Sequence, residues 1–269
     1  MAAQPWTEAQ RLTAFFHGFT MTRWSDYTDD PASADAMTRR VNAVRRARSK
    51  ELIADRVDYL CSLATDKEVL DVGVVGHTRE AMQGTEWLHG RLSQCAKQCV
   101  GVDVLEEEVA WLRGRGMNVI CCDLSKAPLE SLFDLIVCGE LIEHVDAPGP
   151  LLKNLARMLK RDGRVVFTTP NPWYLNVIVK NAIGLVPFSC SSDHVMWLDA
   201  VTFCELGERS GLALDKYAGV RALAWHSILG RIFTILQPAL IWVGLNRECL
   251  ALTIVYEFIL AGDQRPEAG

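Results

Sequence analysis

The sequence predicts an α/β fold with a mostly parallel sheet, on three observations. Strand-like apolar runs alternate with helical stretches through the middle of the chain, the pattern of parallel strands joined by crossover helices. Three of those runs end at an aspartate: Val69–Leu70–Asp71, Val100–Gly101–Val102–Asp103 and Val119–Ile120–Cys121–Cys122–Asp123. The first then turns through Gly73-Val-Val-Gly76, as a strand does when its backbone bends toward a ligand. Ligands of open parallel sheets sit outside the carboxyl ends of the strands, where acids can hold the hydroxyl and amino groups of a nucleoside.

Taken in order, residues 1–35 carry scattered aromatics (Trp6, Phe15, Phe16, Phe19, Trp24, Tyr27) and a polar turn, Ser25–Asp35, and read as a lid or packing arm. From Asp35 to Ala64 apolar residues recur every three or four positions (Val41, Val44, Leu52, Ile53, Val57, Leu60), which predicts helix. Strands follow at 68–73, 99–103, 118–122, 133–138 and 164–169, with helices near 88–98, 106–114 and 149–160 between them. Arg161-Asp-Gly163 reads as a helix stop before a strand start. Leu198–Ser210 reads as a helix with Asp199 at its N-cap and Gly211 just past its end. Leu212–Val220 and Cys249–Ile259 read as the last strands.

Ile228–Leu245 is strongly apolar but contains Arg231, Gln237 and Pro238, so it is not read as a membrane span. It is either an interfacial or substrate-covering helix pair, or ordinary core. The expected organisation is a helical arm or lid over 1–60 and one domain over 61–262, with 228–245 inserted before the final strand.

The 269 residues carry a net charge of −5, which gives no general attraction to a phosphate backbone and argues against a nucleic-acid partner. The basic stretch Arg39-Arg40, Arg45-Arg46, Arg48 and Lys50 reads as a solvated helix face or a contact with an anionic surface. Nine cysteines without a Cys-x-x-Cys pair read as small core side chains in a reducing compartment, with Cys121 and Cys122 in a buried strand. Met1–Trp6 is followed by Glu8 and Arg11 rather than by an apolar core, so no signal peptide is read and a cytoplasmic location is expected, with membrane association open.

The site candidates line up along one sheet edge. Asp71, Gly73 and Gly76 border the first turn, Asp103 sits 32 residues later at the end of the next strand, and Asp123 closes the third. Phe133-Asp-Leu-Ile-Val-Cys-Gly-Glu-Leu-Ile-Glu-His-Val145 delivers Gly139 and Glu140 to the same edge, with Glu143 and His144 a turn later. Three readings of that cluster stand. Glu143 and His144 can act as general base, Glu140, Glu143 and His144 can coordinate a divalent metal, or the pair only caps the loop. Thr168-Thr-Pro-Asn-Pro172 either lines an acceptor pocket or starts a loop, and His194 of Asp193-His194-Val-Met-Trp197 is either a fourth ligand or a surface histidine.

In this order, VLDVG, VGVD, CCDLSKAPL, FDLIVCGELIEHV and LLKNLARMLKRDGRVVFTTPNP resemble the class I S-adenosylmethionine-dependent methyltransferases. The resemblance implies a Rossmann-like, seven-stranded sheet whose final strand, Cys249–Ile259, is antiparallel. It implies that Asp71, Gly73 and Gly76 border the methionine moiety of S-adenosylmethionine. Asp103 and Val104 would then hold the ribose side, Asp123 and Leu124 the adenine, with Gly139 and Glu140 flanking the cofactor. The chain departs from the family turn at Val75 and His77, which replace glycines, and in a longer link containing Trp87-Leu88-His89, a loop that can cover the cofactor.

Glu140-x-x-Glu143-His144 is similar to the motif of ubiquinone-pathway O-methyltransferases and small-RNA 2′-O-methyltransferases, where it binds a divalent ion. The VGH turn is similar to bacterial polysaccharide and natural-product methyltransferases. The function implied is O-methylation of a sugar, glycolipid or other small hydroxylated acceptor, with His144 as base and Glu143 orienting it. In the metal version Glu140, Glu143, His144 and His194 hold Mg2+ or a similar ion. The alternatives are an RNA 2′-hydroxyl acceptor and a degenerate cofactor-binding protein without turnover.

Overall fold

The strands are β1 (Glu68–Val72), β2 (Gln98–Asp103), β3 (Val119–Cys121), β4 (Phe133–Gly139), β5 (Leu159–Pro170), β6 (Leu212–Arg221) and β7 (Ala251–Leu260). They form one sheet in the order β3-β2-β1-β4-β5-β7-β6. The first five are mutually parallel, and β7 runs antiparallel to both of its neighbours, as expected. This computed structural model describes residues 30, 33–184, 193–221, 235–236, 239, 241–242 and 244–262. Residues 1–29, 31 and 32 of the expected arm and most of 228–245 therefore lie outside the described residues.

The helices are α1 (Ala34–Ala47), α2 (Arg56–Ala64), α3 (Leu88–Cys95), α4 (Glu106–Arg113), α5 (Pro148–Arg157), α6 (Leu175–Ala182) and α7 (Ala200–Glu208). The two-residue period of a strand sends alternate side chains to opposite faces. On one face Leu70, Val72, Ile136 and Cys138 pack with Leu151, Leu152 and Leu155 of α5 and Phe203 of α7. On the other, Val69, Leu135 and Val137 pack with Val57, Leu60, Cys61 and Ala64 of α2 and Leu92 of α3. The division drawn after residue 60 falls inside this apolar face of α2.

Three local expectations change. The helix expected over 35–64 is two helices, because residues 48–53 leave the helix to run beside the edge strand β6. There Ser49 N–H donates to Tyr217 O and Ile53 N–H to Gly219 O, both at 2.8 Å. The segment covers an edge that would otherwise expose unpaired backbone groups, and Leu52 and Ile53 keep the apolar rhythm of a helix because they pack on the sheet. Next, β5 begins at Leu159, inside the stretch expected to end a helix. Phe133 pairs with Leu159 and Leu135 with Arg164, so Arg161-Asp-Gly163 is an irregularity within the strand.

Cys121 is exposed and Cys122 only partly buried, because β3 is an edge strand with a single neighbour. In the last third, Asp199 caps α7 as expected through a capping box with Thr202, and Gly211 follows at φ +84°. Of the apolar segment, Ile235, Leu236 and Trp242 are exposed, Trp242 at 87%, and Ile241 and Leu245 are partly buried. No helix among the described residues is long and apolar enough to cross a membrane.

Candidate active site

The carboxyl ends of β1, β2, β4 and β5 meet at one edge of the sheet. Gly73 turns out of β1 at φ +79°, a conformation that a residue with a Cβ adopts only under strain, and a Cβ there would strike Leu141 Cδ1 at 2.9 Å. The turn is pinned from β2. Gly73 N–H donates to Val102 O at 2.8 Å, and Val75 N–H donates to Asp103 Oδ2 at 2.9 Å. Asp103 Oδ1 accepts from the backbone N–H groups of Val104 at 2.8 Å and Leu105 at 3.1 Å. The valine at position 75 thus leaves the backbone donor of the glycine it replaces in place. Gly76 is backed by Met82, whose Cγ lies 3.2 Å from where a Cβ would stand.

Asp71 points away from this turn. Its carboxylate is 2% exposed and Oδ2 lies 3.1 Å from Nδ1 of His89, itself 1% exposed. Burial raises the Asp71 carboxyl above its ordinary range, and the hydrogen bond from His89 opposes that. The Trp87-Leu88-His89 insert, expected as a possible cover for the cofactor, underpins the edge. Trp87 Nε1 donates to Val74 O at 2.9 Å, and Leu88 Cδ2 lies 2.7 Å from where a Gly139 Cβ would stand. A side chain at position 139 would have to displace the Leu88 tip.

The third acid, Asp123, accepts from Ser125 N–H at 3.0 Å and Ser125 Oγ at 2.6 Å, and pairs with Lys126. The Ser125 hydroxyl, then Lys126, holds its carboxyl below the usual range. Leu124 is a core side chain, so only its backbone is available to a ligand. Val104, by contrast, is 60% exposed beside Asp103.

Glu140 follows β4 at φ +51°, held there by its N–H donating to Thr168 O at 2.9 Å and Thr168 Oγ1 at 3.1 Å. Its side chain faces Arg56, with Oε1 3.7 Å from Nη1, while Arg56 Nη1 donates to Thr168 Oγ1 at 3.0 Å. Sequence reasoning missed Arg56. The available signal was topological: a helix joined to the start of β1 by three residues must run back along the sheet, which brings its first residue to the carboxyl edge. Asp55 caps that helix by accepting from Asp58 N–H at 2.9 Å.

A short 3-10 turn, Ile142–His144, comes next. Glu143 is 2% exposed. Thr169 Oγ1 donates to its Oε2 at 3.0 Å, while its Oε1 has no hydrogen-bond partner. Burial pushes its carboxyl up to about 7. His144 Nδ1 lies 3.2 Å from Asp193 Oδ2, and its ring meets that of His194 edge-on with centroids 4.6 Å apart. Val195 N–H donates to Glu143 O at 2.9 Å, which ties this distant segment to the turn.

One potential ligand atom from each of Glu143, His144 and His194 lies within 4.8 Å of the others. The expected four-member set is thereby corrected: Glu140 stands with Arg56, outside the group. The expected partner of His144 is corrected too, since Asp193 and not Glu143 contacts its ring. The Thr168-Thr-Pro-Asn turn serves both sides of this edge. Thr168 holds Glu140, Thr169 holds Glu143, and Asn171 Nδ2 clamps the start of β7 through Glu248 O at 2.7 Å and Ala251 O at 2.8 Å. A shallow depression of about 430 Å³ lined by Asp66, Lys67, Asp134, Lys160 and Gly163 lies at the opposite edge, where ligands of parallel sheets do not bind.

The family model described as a methyltransferase domain matches residues 44–217. The chain belongs to the class I S-adenosylmethionine-dependent methyltransferases. Among curated relatives, the ubiquinone biosynthesis O-methyltransferase of Aeromonas salmonicida is 26% identical over 161 residues, covering 57% of this chain and 66% of that protein. Its namesake from Idiomarina loihiensis is 28% identical over 134 residues, covering 45% and 51%, and that of Coxiella burnetii 28% over 166 residues, covering 57% and 67%. The methyltransferase chain thus spans between about half and two thirds of these relatives.

Among solved structures, magnesium protoporphyrin IX methyltransferase from Synechocystis PCC 6803 with bound SAH gives a TM-score of 0.49 at 14% identity, covering 88% of this chain and 93% of that one. A TehB-like methyltransferase from Corynebacterium glutamicum gives 0.48 at 18% identity, covering 86% and 100%.

Proposed function

We propose that this methyltransferase transfers the methyl group of S-adenosylmethionine to a hydroxyl of a small acceptor, such as a sugar, a glycolipid or a phenol. The observation that carries this reading is the grouping of Glu143, His144 and His194 beyond the carboxyl end of β4, on the sheet edge where β2 ends at Asp103. The names of the curated relatives, ubiquinone biosynthesis O-methyltransferases, point to the same class of acceptor atom.

The residues at the edge fit the donor. Asp103 is a strand-end carboxylate suited to ribose hydroxyls, and the exposed side chain of Val104 offers an apolar surface for adenine. Arg56, partly exposed beside Glu140, suits the methionine carboxylate as a bidentate partner. S-adenosylmethionine supplies a methyl on a sulfonium, delivered in line to the acceptor oxygen. The chain's own work is to hold both partners in that geometry and to take the hydroxyl proton. His144 suits the proton, because its Nδ1 lies 3.2 Å from Asp193 Oδ2 and Nε2 remains to accept.

The same three side chains fit a divalent ion. Glu143 Oε1 is a buried carboxylate oxygen without a partner, and burying such a group is costly unless a cation or donor meets it. An ion there supplies a Lewis acid that lowers the pKa of the acceptor hydroxyl. Two imidazoles among three donors suit manganese or another transition ion better than the Mg2+ expected earlier, which favours oxygen ligands. Peripheral contact with a membrane or an apolar acceptor is supported by α6, which buries none of its side chains, and by exposed Trp173, Ile183 and Trp242.

Transfer of a labelled methyl group to a panel of catechols, sugars and glycolipids tests the acceptor class. Labelling of one hydroxylated class, lost in His144→Gln, supports the reading. Labelling of nitrogen or carbon atoms alone contradicts it. Flotation with liposomes, with and without Trp173→Ser and Ile183→Ser, tests the surface, and equal flotation of both forms removes that part.

A further inference from the structure

His144 has two ring nitrogens, and only one can serve as base or ligand. Which nitrogen carries the proton in a neutral imidazole is set by the hydrogen bond the other makes. Here Nδ1 lies 3.2 Å from Asp193 Oδ2, so a carboxylate acceptor faces that nitrogen. The contact is prepared by the backbone. Val195 N–H is bonded to Glu143 O, and this places Asp193 and His194 together against the short turn that carries His144. The His194 ring then abuts the His144 ring edge-on, which limits how far the His144 ring can rotate away from its partner. The carboxylate that meets His144 Nδ1 is Asp193, while Thr169 donates to Glu143 Oε2.

We propose that Asp193 is the positioning residue of the site: it holds the proton of His144 on Nδ1 and so leaves Nε2 unprotonated, available as base or ligand. This rests on the reading above, in which His144 serves as base or ligand. In this role Asp193 acts through His144. Carboxylates that orient a ligating histidine in this way typically change metal affinity by about 10–100-fold when removed.

The test uses the full chain and two readouts. Long-range 1H–15N spectra, with the His144 signal assigned by its loss in His144→Gln, report the tautomer without any ion present. Titration calorimetry with MnCl2 reports ion affinity. The wild type should show His144 protonated on Nδ1. Asp193→Ala should move the proton toward Nε2 and weaken Mn2+ binding by about 10–100-fold. Asp193→Asn, whose amide oxygen can still accept from Nδ1, should keep most of the tautomer and lose only a few-fold in affinity.

An unchanged tautomer in Asp193→Ala overturns the inference while leaving the proposed function standing. If the wild type binds no Mn2+ but the tautomer shifts as expected, the cation part of that function falls and the positioning role of Asp193 is upheld.

Discussion

Asp71 Oδ2 and His89 Nδ1 meet at 3.1 Å between β1 and α3, both side chains withdrawn from solvent. The pair links the strand that begins the cofactor turn to the helix that follows it. His89 also fills the space beside Gly101, where a Cβ would come within 2.7 Å of its Cε1.

Removing the histidine strands a buried acid. His89→Leu should lower the unfolding free energy by about 3 kcal/mol, the scale for orphaning a buried polar or charged partner. Asp71→Asn should cost less, because the amide oxygen still accepts from the ring. Urea denaturation at neutral pH checks both, and a loss under about 1 kcal/mol for His89→Leu would show that the pair does not hold the edge together.

Asp103 collects three backbone N–H groups, from Val75, Val104 and Leu105. Asp103→Ala should weaken binding of S-adenosylhomocysteine by at least about 100-fold, or about 2.7 kcal/mol, while far-UV circular dichroism stays that of the wild type. Binding within threefold of wild type would place the donor elsewhere.

Glu140 adopts a left-handed conformation that costs a non-glycine residue about 1–2 kcal/mol. Glu140→Gly should therefore raise stability toward denaturant by up to about 1 kcal/mol and lower turnover, since the carboxylate facing Arg56 is gone. A destabilised variant would show that the Glu140 side chain contributes more than its backbone strain costs.

Asp123 titrates below the usual carboxylate range because the Ser125 hydroxyl and then Lys126 favour its charged form. Its folded pKa is lowered, so its contribution to stability is present above the unfolded pKa and is lost as pH falls through the folded one. Ser125→Ala should bring Asp123 back toward the ordinary value and flatten that acid dependence, followed by carboxyl 13C titration. An unmoved Asp123 would assign the shift to Lys126 instead.

Chelation separates the two readings of Glu143, His144 and His194. Treatment with EDTA should abolish methyl transfer, and Mn2+ should restore more of it than Mg2+ does, as a donor set with two imidazoles requires. Activity that survives chelation leaves His144 as a base without an ion.

The fold was legible because parallel strands buried on both faces read as continuous apolar runs, and Asp71, Asp103 and Asp123 mark where those runs stop. The same rule misread Cys121 and Cys122, since an apolar run does not announce that its strand lies at the sheet edge. Apolar spacing from Val44 to Leu52 likewise carried a helix through a segment whose backbone bonds to β6. At the site, sequence brought forward Asp71, Glu140 and His144 but not their partners. His89, Arg56 and Asp193 meet Asp71, Glu140 and His144 through tertiary packing, and no local spacing encodes those pairings.

The central claim is that the carboxyl edge around Gly73, Asp103 and Glu140 binds S-adenosylmethionine. Calorimetric titration of the intact chain with S-adenosylhomocysteine tests it most directly. One saturable site is predicted, weakened in Asp103→Ala. No binding by the wild type at millimolar ligand would contradict the account.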